Sequence, residues 1–126
     1  MGFELYSHGR YLGCNQSTFP TILKVACSNG WSPRGTEPPY GWEGHWDGGY
    51  CWNERQYVTD DDALGIANAL ELALDDAPDE HVLPERTPEN YLDFDEGAAE
   101  IQWLRGRSGY IREFIAFCRL GGFTIA

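Results

Sequence analysis

The chain has 126 residues, 42% of them apolar and 14% aromatic, with a formal net charge of −11 at pH 7. That length suits one domain over residues 1–126, and that apolar content excludes a chain too polar to build a core. A field of this sign repels phosphates, which excludes a general DNA or RNA binder.

Phe3 to Ser7 alternates apolar Phe3 and Leu5 against Glu4 and Tyr6, a strand pattern, and His8-Gly9-Arg10 reads as a turn into a second strand at Tyr11 to Cys14. A hairpin is expected there. Asn15 to Thr18 offers N-cap residues and Pro20 is tolerated in a first turn, so a helix runs through about Ser28 with Ile22, Leu23, Ala26 and Cys27 on one face. Asn29-Gly30 ends it.

From Gly30 to Trp52 the character changes, since this stretch holds four of the five tryptophans amid glycines and prolines and reads as a long ordered loop. Trp31, Trp42, Trp46 and Trp52 are either anchors for a partner or cover for the small sheet. Residues 50–59 read as a hairpin turning at Asn53-Glu54. Thr59 followed by Asp62 resembles a capping box with Asp in place of Glu, and Asp60, Asp61 and Asp62 suit the positive end of a helix dipole. In the helix they open, Ala63, Ile66, Ala67, Leu70, Ala73 and Leu74 share a face, while Leu64 and Leu72 lie off it. Three prolines among acids make 75–96 a surface excursion, pinned by Tyr91, Leu92 and Phe94, and 96–104 has helical potential.

Arg105, Arg107 and Arg112 surround Gly106 and Gly109, a constellation that could hold an anion, with Ser108 capping the next helix. On a wheel of about 100° per residue, Tyr110, Ile111, Phe114, Ile115, Phe117 and Cys118 fall within an arc of roughly 160°, so this is a core helix. Gly121-Gly122 stops it, Gly121 in the left-handed C′ conformation, and Phe123 to Ile125 forms a last strand.

Catalytic signatures are missing: there is no G-x-S-x-G, H-E-x-x-H, C-x-x-C or Rossmann glycine pattern. Only a Cys51–His45 approach within the aromatic loop would supply nucleophilic or metal chemistry. The EF-hand spacing is absent from Asp60-Asp61-Asp62, so neither metal nor cofactor is expected. The four cysteines are spread out and no secretion signal opens MGFELYSHGR, which favours a cytoplasmic protein with reduced thiols and with Cys27 and Cys118 acting as small hydrophobes. No stretch approaches the 18 apolar residues of a membrane span, and Met-Gly is followed by Ser one place too late for N-myristoylation.

DALGIANALELAL followed by REFIAFCRLGGFTI resembles small uncharacterised bacterial proteins of similar length, over the C-terminal two thirds. The matching positions, Ala63, Leu70, Leu74, Phe114, Phe117, Cys118 and Gly122, are core and cap positions, so the resemblance implies a fold and carries no activity.

The fold class expected is α+β, a small, mostly antiparallel sheet packed on two or three helices. Residues 59–100 carry fourteen acidic and one basic side chain. The expected function is therefore that of a small acidic, non-catalytic binding protein of immunity or inhibitor type, whose partner is a basic protein met through Asp60, Asp61 and the tryptophans. The alternative is a small-ligand or anion-binding domain, or an enzyme, using the Trp-rich loop with Arg105 and Arg107.

Overall fold

Alternation along Gly2–Ser7 (β1) sends Phe3, Leu5 and Ser7 to the interior and leaves Glu4 and Tyr6 in water. The structure, a computed structural model, describes residues 2–76, 103–104 and 106–126. β1 runs antiparallel to Arg10–Asn15 (β2), from Gly2 opposite Asn15 to Ser7 opposite Arg10. The two residues between them, His8 and Gly9, both have positive φ (49° and 75°), the backbone whose twist matches paired strands. The expected hairpin is present.

Two further strands complete the sheet. Phe123–Ile125 (β4) lies between β1 and Gln56–Val58 (β3), so the order is β2-β1-β4-β3 and every pairing is antiparallel. The expected hairpin within residues 50–59 does not form. β3 pairs with β4, about 65 residues later, and Glu37 bridges its free edge through Tyr57. The segment lacks the glycine of a tight turn, so nothing local returns the chain, and the partner comes from elsewhere.

Among the described residues there are three helices, Thr18–Ser28 (α1), Asp60–Asp76 (α2) and Ser108–Cys118 (α3). α2 packs against both of the others. Its buried side chains include Ala63, Ile66, Ala67, Leu70, Ala73 and Leu74, and the small alanines let its neighbours approach closely. Leu64 and Leu72 face outward. The core is aromatic at its centre: ring centroids step from Phe3 to Phe19 (4.9 Å), Phe19 to Phe114 (6.3 Å), Phe114 to Phe123 (6.4 Å) and Phe123 to Phe117 (5.6 Å). Each buried phenylalanine contributes about 2–3 kcal/mol, and the edge-on contact of Phe114 with Phe123 adds to that. This is an α+β fold with its helices over one face of an antiparallel sheet.

Several local expectations change. Ser108 does not cap α3; Arg107 holds the cap position without a side-chain bond, and Ser108 is the first helical residue. Cys27 is exposed, and the buried face of α1 is Phe19, Ile22, Leu23, Val25 and Ala26. Gly121 has positive φ (121°), but two positions past the cap Arg119 rather than beside it. Gly122 has the tighter constraint, because a Cβ there would run into the Val58 carbonyl and the Tyr57 hydroxyl. The expected excursion at 75–96, with Tyr91, Leu92 and Phe94, lies outside the described residues apart from its first two positions.

Candidate functional site

The segment between α1 and β3 is held by buried polar side chains that composition does not single out. Asp62, in the first turn of α2, is buried; one carboxylate oxygen accepts from the Arg34 amide at 3.1 Å and the other from the Tyr50 hydroxyl. Tyr50 in turn accepts from the Gly35 amide at 2.8 Å. Burial, and then the bond to Asp62, push the Tyr50 phenol well above its ordinary value, so it stays a neutral donor. Thr59 accepts from the Asp62 amide at 3.3 Å, which is half of a capping box; the Asp62 side chain is used on the loop instead.

Gln56 does the same from β3. It is fully buried, donates to the carbonyls of Trp52 (2.6 Å) and Gly49 (3.3 Å), and accepts from the Glu54 amide (3.0 Å). Thr36 adds a bond to the Gly49 carbonyl (2.7 Å) and takes the Trp46 indole N–H on its own carbonyl (3.0 Å). Gly35 and Gly48, both at positive φ, let the two arms of the loop pass close together. With these anchors the aromatic residues have fixed positions.

Those positions differ from one tryptophan to the next. Trp31 is buried, meets Tyr50 edge-on at 5.5 Å and lies against Gly65 of α2; its indole nitrogen is buried without an acceptor among the described residues. It belongs to the core. Trp42 and Trp52 are 43% and 59% exposed, and Trp46 is partly buried. Trp42 meets Trp46 edge-on at 5.0 Å and donates to the His45 carbonyl at 3.2 Å. Trp52 lies over Gly49, where a Cβ would collide with the ring. Trp42, His45, Trp46, Asp47, Trp52 and Glu54 together line an open cleft of about 250 Å³. The neighbouring Tyr40 is fully exposed.

The acidic candidates at the head of α2 divide. Asp60 accepts from the Gly122 amide at 2.7 Å and from the Tyr57 hydroxyl at 3.2 Å, so it ties the start of α2 to the entry of β4. Asp61 points outward, 3.7 Å from Arg34, both side chains being more than 70% exposed. Such a pair contributes little to stability.

Of the four residues expected to hold an anion, Arg107, Ser108 and Arg112 lie among the described residues. Arg107 donates to the Trp103 carbonyl at 3.2 Å and lies 4.8 Å over the Trp103 ring. Arg112 lines a groove between α2 and α3 with Glu71 and Arg119, and Arg119 pairs with Glu71 at 2.5 Å. Ser108 is partly buried at the start of α3, and Arg105 lies outside the described residues. No hydrogen bond joins Cys51 to His45, and the burial Cys51 has raises its thiol above the ordinary value, the reverse of what activates a nucleophile. No group of three or more His, Cys, Asp or Glu side chains is placed to hold a metal among the described residues. None of their helices is long and apolar enough to cross a membrane.

The cleft offers indole faces, the His45 side chain and the carboxylates of Asp47 and Glu54. Comparison with family models, curated proteins and solved structures finds no match for the chain.

Proposed function

We propose that this protein is a small acidic binding protein of immunity or inhibitor type, acting in the cytoplasm on a basic protein partner without catalysis of its own. The observation that supports the reading is the meeting of aromatic area with one sign of charge. Residues 36–54 carry Glu37, Glu43, Asp47 and Glu54 and no lysine or arginine, and the same segment exposes Tyr40, Trp42 and Trp52. Exposed tryptophan and tyrosine on a braced loop lose little entropy on docking and are favoured at the energetic centre of interfaces. Surrounding carboxylates steer a cationic surface toward them and raise the association rate.

Association should therefore be sensitive to salt and to the tryptophans. The test is capture from native lysate at low ionic strength, with the Trp42→Ala/Trp52→Ala double variant as the control bait. Expected is a partner retained by the natural protein, weakened at least tenfold on the variant, and released by about 0.5 M salt, where screening shortens the reach of charges to a few ångström. Equal capture on both baits, or none on the natural protein, would overturn the reading. Trp42 and Trp52 are 43% and 59% exposed and their ring contacts lie within the loop, so the variant should stay folded, with a melting temperature lowered by about 5 °C at most.

A further inference from the structure

The cleft at the tip of the loop is more specific than a patch of acidic and aromatic character. Three indoles flank it, and two carboxylates share its lining. Asp47 uses one oxygen on the Gly49 amide at 2.9 Å. Its other oxygen and the whole Glu54 carboxylate have no side-chain or backbone donor among the described residues, and neither group pairs with an arginine or lysine there. Indole faces attract a cation through the ring quadrupole, and unpaired carboxylates beside them complete a site for a group that is both flat and charged.

Resting on the reading above, we infer that this cleft receives a single arginine side chain from the partner, its guanidinium seated among Trp42, Trp46 and Trp52 and bonded to Glu54 and Asp47. Arginine is favoured over lysine for three reasons. A guanidinium is planar and stacks on an indole. It is more weakly hydrated than an ammonium and so costs less to bring against apolar rings. It also presents a fork of N–H groups that matches a carboxylate. The chain uses the same chemistry internally, where the Arg107 guanidinium lies 4.8 Å over the Trp103 ring.

The test needs no partner. Acetyl-Gly-Arg-Gly amide is titrated into the full chain while the indole N–H signals are followed by NMR, with the lysine and citrulline versions of the peptide as controls. Citrulline keeps the shape of arginine and lacks its charge. Expected is saturable movement of the Trp42, Trp46 and Trp52 signals at concentrations on the order of millimolar, with the Trp31 signal unmoved, at least threefold weaker binding of the lysine peptide and no saturation with citrulline. Glu54→Gln should weaken the arginine peptide about two- to fivefold with the melting temperature unchanged. Citrulline or lysine binding as well as arginine would overturn the inference. So would the absence of indole shifts; if salt-sensitive, Trp42-dependent capture of a partner persisted, that absence would remove the arginine site and leave the binding protein, whereas loss of both would remove both.

Discussion

At the scale of single residues, the side chains that shape the candidate site are not the ones that would touch a partner. Gln56 is the clearest case, because the two polar atoms of a buried amide bond three backbone groups of the loop at once. Gln56→Met keeps the volume and leaves two carbonyls and an amide without that partner, each costing about 1 kcal/mol or more. Urea unfolding should show a loss of about 2–3 kcal/mol, and a loss under 1 kcal/mol would mean that the loop is braced some other way. Nothing near Gln56 in the sequence announces this role, since a glutamine at the start of a short strand reads as solvent-facing. Asp62 misleads similarly: three aspartates in a row look equivalent, yet Asp61 is in solvent, Asp60 holds the Gly122 amide and Asp62 is buried. The tryptophans were legible as a group and not individually, because burial of Trp31 depends on Gly65, 34 positions away.

At the scale of elements, periodicity carried the helices and the first hairpin. The stripe from Ile111 to Cys118 and the alanine face of α2 are both buried, and His8-Gly9 forms the turn. β3 was only partly legible, as a strand with the wrong mate, because local alternation says which face is apolar and nothing about which distant strand completes the ladder. Gly65 shows how an element yields to its neighbour. A glycine inside a helix costs about 1 kcal/mol relative to alanine, so Gly65→Ala should stabilise α2 taken alone. In the fold the added Cβ would stand 2.9 Å from Trp31 Cδ1, and overpacking of that kind costs about 1–3 kcal/mol. The second effect outweighs the first. The variant should melt several degrees lower with its Trp31 emission altered, and a rise in melting temperature would show that the indole moves aside freely.

At the scale of the whole molecule, alkaline pH tests how the core is closed. The Cys118 thiol and the Tyr50 and Tyr110 phenols are all raised from ordinary values of 9.0 and 10.0, in each case chiefly by burial. The fold holds these protons more tightly than the unfolded chain does, so their contribution is complete below about pH 9 and is lost as pH rises beyond it. The urea midpoint should stay level from pH 7 to 8.5 and fall steadily toward pH 11. Burial also raises the Cys14, Cys27 and Cys51 thiols, so Cys118→Val should shrink the earliest part of that fall without abolishing it and leave the tyrosine part; a midpoint that rises above pH 9 would contradict the burial of these groups. Separately, β4 stands inside the sheet, hydrogen-bonded on one side to β1 and on the other to β3. Until residues 123–125 clear the ribosome, the β1–β2 hairpin and the Gln56–Val58 segment have no ladder in common, and a lone hairpin is barely stable in water. Nascent chains stalled anywhere short of Gly122 should thus remain open to proteases, and folding should be slow for so small a molecule, since its decisive contacts join sequence-distant segments.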